Sequence, residues 1–238
     1  MSDLPPCRPW MHGDDRRVRL KVCCISSIEE AQTAIAHGAD AIGLVSAMPS
    51  GPGVIDDARI EAIAAAVPPG IGTVLLTSRR DVDGIVAQQR RFRVNTLQLC
   101  DEVEPTDIRT MRSILDGVSI IQVVHVVGEE SIRQAVAASR AAHALLLDSG
   151  DPSKSTRELG GTGRTHNWTL SRRICEAVVG PVYLAGGLSP ENIADAVRTV
   201  RPFGVDVCSG LRSDGLLDEH RLASFVRRLK SSQVGASG

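Results

Sequence analysis

LLLDSGDPSKSTRELGGTGRTHNW, Leu145 to Trp168, is the stretch on which the reading of this chain turns. Its three leucines form an apolar run without polar alternation, which predicts a strand buried on both faces, as in parallel sheets covered by helices. The run ends on Asp148, at a strand's carboxyl end, where parallel α/β proteins gather their reacting groups. A long polar loop follows and closes on Gly160, Gly161, Thr162 and Gly163, whose backbone N–H groups are free to donate to a phosphate.

Outward from this stretch the same unit recurs. Apolar runs predict strands at Val18–Cys24, Ala41–Val45, Gly72–Thr77, Val94–Leu99, Val118–Val126, Ala144–Asp148, Val182–Ala185 and Val205–Cys208. Amphipathic segments lie between them. The first is capped by Ser26, with Glu29 three residues on, and is stopped by Gly38. The others fall near Asp56–Ala66, Asp81–Arg91, Pro105–Leu115, Glu129–Ser139, Asn167–Ala177, Pro190–Val200 and Leu217–Lys230. Alternating β and α elements force parallel strands with right-handed crossovers, and eight such units in 238 residues favour a closed (β/α)8 TIM barrel over an open sheet. One barrel domain over residues 18–230 accounts for the chain, with a proline-rich polar tail over 1–17 and a small-residue flexible tail over 231–238.

Composition limits the partners. Hydrophobic residues make up 42% of the chain, enough for a substantial core, and the formal net charge of −1 comes without a basic cluster, which argues against nucleic acid. Cys7, Cys23, Cys24, Cys100, Cys175 and Cys208 form no CxxC pair and read as reduced thiols. No apolar run approaches the length of a membrane span, and the amino terminus lacks the apolar core of a signal peptide. A soluble cytoplasmic protein is expected.

A barrel of this type presents every strand's carboxyl end to one face, so groups distant in sequence converge there. Cys23 closes the first strand and Asp148 the sixth. Gly186 and Gly187 follow the seventh, and Ser209 and Gly210 the eighth, matching the common phosphate site of such barrels. His125 and His143 lie in or beside strands without a second ligand at metal spacing, so packing or solvent is their expected environment. His166 is expected to be solvated.

Taken together, Lys21-Val22-Cys23, Leu146-Leu147-Asp148, Gly160-Gly161-Thr162-Gly163, Leu184-Ala185-Gly186-Gly187-Leu188 and Gly204-Val205-Asp206-Val207 with Ser209-Gly210 resemble the phosphoribosylanthranilate isomerase family of tryptophan biosynthesis. The likeness runs from about Arg19 to Lys230. It implies an Amadori rearrangement of N-(5-phosphoribosyl)anthranilate to an open-chain 1-deoxyribulose phosphate, without metal or organic cofactor, by a monomer or homodimer. Opening the furanose needs a proton on the ring oxygen, and the next step removes one from the neighbouring sugar carbon. By resemblance Asp148 is the general acid and Cys23 the general base, each contributing about 10²–10⁴-fold when positioned. Gly161, Thr162, Gly163, Gly186, Gly187, Ser209 and Gly210 would hold the phosphate. A thiolate near neutrality needs a positive charge, which Lys21, two residues earlier on the same strand face, could supply. Asp206 shares a face with Gly204 and Cys208 and could touch substrate.

Four positions depart from the family pattern. Cys24 replaces the glycine of Lys-Ile-Cys-Gly, and Ser50-Gly51-Pro52-Gly53 replaces the Ser-Pro-Arg whose arginine pairs with the anthranilate carboxylate. Cys100-Asp101 replaces His-Gly after the fourth strand, and Arg212 replaces the acid after Ser-Gly-Val. Arg79 and Arg80, after the third strand, could compensate for the missing cation. Two other functions therefore stay open at this point: isomerisation of a different phosphorylated aminosugar, and non-catalytic binding of a phosphorylated ligand.

Overall fold

The computed structural model describes residues 17–49, 51–150 and 166–234. The expectations for residues 1–16 and 235–238, and for Gly160, Gly161, Thr162 and Gly163, lie outside the described residues.

Eight parallel strands close into a barrel in sequence order. They are β1 (Arg19–Val22), β2 (Ala41–Val45), β3 (Gly72–Thr77), β4 (Thr96–Leu99), β5 (Ser119–His125), β6 (Ala144–Asp148), β7 (Val182–Leu184) and β8 (Gly204–Val207). The helices α1 (Ile28–Ala36), α2 (Asp57–Ala66), α3 (Val82–Phe92), α4 (Pro105–Ile114), α5 (Glu130–Ser139), α6 (Trp168–Ala177), α7 (Ile193–Val200) and α8 (Glu219–Val234) alternate with them. Closure is made by β1 against β8, with Lys21 opposite Asp206 and Val22 opposite Val207.

The strands are buried on both faces for the reason their sequence implies. In β6, Leu145 and Leu147 join the large cluster between sheet and helices, while Leu146 packs in the lumen with Val45, Val74, Leu76, Ile121 and Val123. Period two thus sorts each strand into an outer apolar row and an inner row. The inner rows bring Lys21, Gln98, Asp148 and Asp206, all buried, into or just above the barrel.

Local chemistry moves several boundaries. The α1 cap is Ser27, in extended conformation, whose side chain accepts from Glu30 N at 3.2 Å. Ser26, expected as the cap, instead donates its N–H to Glu30 Oε2 at 2.9 Å. The start of α7 is delayed from Pro190 to Ile193 because the Asn192 side chain accepts from Ser189 N at 2.9 Å and donates to Gly187 O at 2.8 Å, which builds a turn first. At the other end α8 runs past Lys230 to Val234, into the segment expected to be flexible, on a stripe of Leu222, Phe225, Val226 and Leu229 buried against the barrel. Between β8 and α8 the chain adds a 3₁₀ turn (Ser209–Leu211) and a small antiparallel hairpin of β9 (Arg212–Ser213) and β10 (Leu216–Leu217), neither of which was expected. Among the described residues no helix is long and apolar enough to cross a membrane.

Candidate active site

The carboxyl ends of the strands surround a pocket of about 620 Å³, a volume that includes space open to solvent. Cys23, Asp148, Gly186, Gly187, Asp206 and Ser209 all line it, so residues from four separate βα units meet as expected of a barrel face. Lys21, Gly210, Arg79 and Arg80 are absent from the lining.

Asp148 ends β6 buried, and its Oδ1 accepts from Ser149 N at 2.6 Å. Cys23 follows β1, its N–H donating to Val207 O at 2.9 Å, so the strand register itself sets where the thiol stands. Lys21 is fully buried below it, with Nζ donating to Asp206 Oδ1 at 2.8 Å. Burial acts against the Lys21 charge, but the adjacent Asp206 carboxylate, with smaller help from Cys23, outweighs it and holds the ammonium well above the ordinary lysine range. For Asp206 burial dominates and pushes the carboxyl up, against the pull of Lys21. The 2.8 Å contact between two buried side chains is that of an ion pair, and we treat both groups as charged near neutrality. The expectation for Lys21 is thereby modified: its direct partner is Asp206, and Cys23 receives the remainder of its field.

Gly43 explains how Lys21 and Cys23 fit side by side. A Cβ at this position would lie 2.9 Å from Cys23 Sγ and 3.1 Å from Lys21 Nζ, so β2 must carry glycine where β1 packs both functional groups against it. The sequence signal existed, a glycine inside the apolar run Ala41–Val45, but its use as a spacer was missed.

The glycines expected to meet a phosphate lie in the turns after β7 and β8. Gly186 and Gly187 both have positive φ, 82 and 63, which glycine accepts without strain. A Cβ on Gly210 would stand 2.0 Å from Leu188 O, so the turns after β7 and β8 approach each other through that glycine. Among the described residues, the N–H groups of Gly186, Gly187, Ser209 and Gly210 donate to no protein acceptor. They are open to an anion.

The remaining candidates have the following surroundings. Arg79 reaches toward Asp81 at 3.9 Å, and Arg80 donates from Nε to Glu102 O at 3.1 Å, both exposed and neither lining the pocket. In place of the family's arginine, Gly51 and Pro52 line the pocket. His166 is not simply solvated: its Nε2 lies 2.6 Å from Ser171 Oγ, and burial holds the imidazole below its ordinary value, partly offset by Asp148. His143 Nδ1 accepts from Ile120 N at 3.0 Å, and His125 Nε2 lies 3.4 Å from Cys100 O, so both serve the strand ends. Cys100 lines the pocket as a neutral thiol, its pKa pushed up to about 12 chiefly by burial. Gln98, unremarked as a site residue, lines the pocket buried, and its Oε1 has no hydrogen-bond partner among the described residues. Arg212 stays outside the pocket, forked onto Glu30.

Residues 20–228 match the family model described as N-(5'phosphoribosyl)anthranilate (PRA) isomerase. The N-(5'-phosphoribosyl)anthranilate isomerase 2 of Methanosarcina mazei is 37% identical over 216 residues, spanning 90% of this chain and 95% of the relative. The N-(5'-phosphoribosyl)anthranilate isomerase of Acidithiobacillus ferrooxidans is 35% identical over 216 residues, spanning 90% and 98%. Among solved structures, the phosphoribosyl anthranilate isomerase of Thermotoga maritima aligns with a TM-score of 0.78 at 28% identity, covering 90% of this chain and 99% of that one. Another isomerase, solved with reduced 1-(o-carboxyphenylamino)-1-deoxyribulose 5-phosphate, aligns at 0.76 and 26% identity with the same coverage. With its barrel, its pocket and this likeness over nine-tenths of its length, the chain belongs to the N-(5'-phosphoribosyl)anthranilate isomerase family.

Proposed function

We propose that this protein isomerises N-(5'-phosphoribosyl)anthranilate to 1-(o-carboxyphenylamino)-1-deoxyribulose 5-phosphate in tryptophan biosynthesis, acting in the cytoplasm as a monomer or homodimer. The observation that carries the reading is one pocket lined by both Cys23 and Asp148, with the glycine turns after β7 and β8 at its edge, in a chain of this family.

The roles follow from where the groups stand. Substrate phosphate is held by the N–H groups of Gly186, Gly187, Ser209 and Gly210, whose glycines let the backbone approach the anion closely. Asp148 gives its proton to the furanose ring oxygen, the ring C–O bond breaks, and the nitrogen lone pair forms the C=N bond of an open-chain iminium. Cys23, as thiolate, then takes the proton from the adjacent sugar carbon, and the electrons move to nitrogen to give an enolamine that tautomerises to the ketone. Lys21 Nζ and Cys23 Sγ share the space that Gly43 leaves open, so a buried cation lies beside the base. Asp206 lines the pocket within reach of sugar hydroxyls while remaining tied to Lys21, and Gln98 Oε1 offers a second acceptor. Among the described residues no group of three or more His, Cys, Asp or Glu is placed to hold a metal.

Growth of a tryptophan auxotroph lacking the isomerase tests the reading in the cell. Incubating purified protein with the phosphoribosyl substrate and separating the two isomers by chromatography tests it directly. Failure of both, with folded protein, would move the assignment to another phosphorylated aminosugar.

A further inference from the structure

Four non-glycine residues among those described have left-handed backbones: Cys24, Arg93, Arg201 and Asp214. Arg93 and Arg201 are helix C-caps, and Asp214 is in the hairpin turn, places where that conformation is common. Cys24, at φ 62, is different, because it directly follows Cys23 at the rim of the pocket. A side chain in this region is strained relative to the right-handed conformation. The peptide after Cys23 is therefore disposed to relax, and any relaxation moves the thiol.

The flanking N–H groups are held by the barrel, Cys23 by Val207 O at 2.9 Å and Ile25 by Gly43 O at 3.0 Å. The Cys24 carbonyl between them is held by Arg212 Nη2. That guanidinium is itself fixed. Its two terminal nitrogens meet Glu30 Oε1 at 3.0 Å and Oε2 at 3.1 Å, and Nη1 also donates to Gly215 O at 2.8 Å. Glu30 accepts further from Ser26 N at 2.9 Å and from Leu217 N at 2.8 Å. Arg212 and Glu30 side chains are 9% and 12% exposed, so the fork is shielded from solvent. One buried ion pair thus ties the loop after β1, the first turn of α1 and the β9–β10 hairpin to a single carbonyl next to Cys23. Neither partner lines the pocket.

We infer that Arg212, braced by Glu30, is a positioning residue for Cys23, and that its work is to hold the left-handed Cys24 peptide in place. The inference rests on Cys23 being the base, and it makes a prediction that a purely structural role does not. Glycine at position 24 adopts the same backbone without strain, so the clamp should matter much less there.

The experiment is a cycle of four proteins: the parent, Arg212→Gln, Cys24→Gly and the double variant. Turnover is referred to folded protein measured by calorimetry. Arg212→Gln should lower kcat by about 10-fold or more, as expected for a misplaced reacting group, with KM changed by less than about threefold. In the Cys24→Gly background the same change should lower kcat by no more than about threefold. Arg212→Lys, which keeps the charge but not the fork, should fall between and serves if the glutamine variant does not fold. Equal losses in the two backgrounds, or no loss in either, would overturn the inference. Amide hydrogen exchange of residues 23–26 separates its failure from failure of the assigned reaction, since it needs no substrate. Arg212→Gln should accelerate exchange there in the parent and much less in the glycine background, and unchanged exchange would also overturn it.

Discussion

Replacing Asp206 by asparagine should test the electrostatic core of the site more sharply than any change at its surface. The side chain keeps its shape, but Lys21 Nζ, fully buried and 2.8 Å away, loses the charge that offsets its burial. Leaving one partner of a buried pair uncompensated costs about 3–5 kcal/mol. For a chain of this size each kcal/mol moves the melting point by about 2–4 °C, so a fall of about 6–20 °C at pH 7 is expected in a calorimetric melt.

The pH dependence carries the sign. In the parent, Lys21 has a folded pKa above its unfolded value of 10.5, so its contribution is complete below about pH 10.5 and is lost as pH rises through the folded value. Asp206 also has a raised folded pKa, and by itself loses stability as pH rises from 3.8 through that value, a loss the Lys21 partner limits. In Asp206→Asn, burial becomes the dominant influence on Lys21 and its folded pKa drops below 10.5. The unfolded chain then binds more protons than the folded one, and the variant should gain stability between pH 7 and 10, where the parent does not. Replacing both residues by apolar ones, Lys21→Met with Asp206→Leu, should recover much of the loss. A variant that melts within about 1 °C of the parent at pH 7 and does not gain stability toward pH 10 would refute the ionised pair.

Cys23→Ala and Asp148→Asn should each lower kcat by about 10²-fold or more while ligand affinity, measured by calorimetry with the product, changes little. Gly43→Ala should lower kcat and also destabilise, by about 1–3 kcal/mol in a chemical-denaturation measurement, because the new Cβ would meet Cys23 Sγ at 2.9 Å and Lys21 Nζ at 3.1 Å. Pro52→Arg should raise kcat/KM for the anthranilate substrate by up to about 10–150-fold, the equivalent of a charged hydrogen bond of about 1.5–3 kcal/mol. Arg79→Ala and Arg80→Ala should change it by less than about twofold, since both side chains are exposed and engaged elsewhere. A sulfate soaked into crystals should settle between Gly186-Gly187 and Ser209-Gly210, and density at the amino ends of the strands instead would displace the phosphate site.

The barrel was legible because its signal is repeated and local. Each apolar run is short enough to be a strand and flanked by a helical period, and β2, β3 and β6 fall on the residues expected. The hairpin after β8 was not found, since two-residue strands show no periodicity, although Asp214-Gly215 between them is a turn signal in its own right. In the site, strand parity placed Cys23, Asp148 and Asp206 on the inner face. It could not decide which charge Lys21 would meet, because that depends on the closure of β1 against β8, 185 positions apart in sequence. The contacts of Arg79 and Arg80 were hidden for a related reason: nearness to the mouth follows from the fold, but the partners of a long side chain are local groups such as Asp81 and Glu102 O.

That pairing bears on how the pocket tolerates its substrate. A phosphorylated sugar carrying a benzoate is polyanionic, yet among the described residues the lining contributes Asp148 and Asp206 and no lysine or arginine. Two uncompensated carboxylates would repel such a ligand. Lys21 neutralises one of them from behind without occupying the pocket, and the acid role assigned to Asp148 requires its neutral form at the moment of ring opening. At the proposed phosphate site the donors are backbone N–H groups of the glycine turns instead of side-chain cations. What the lining lacks is a cation for the aryl carboxylate of the proposed substrate, since Gly51 and Pro52 stand where the family pattern has its arginine. Binding therefore draws on the phosphate end of the substrate, and affinity for the phosphorylated sugar should depend less on the aryl group here than in a relative that carries arginine at this loop.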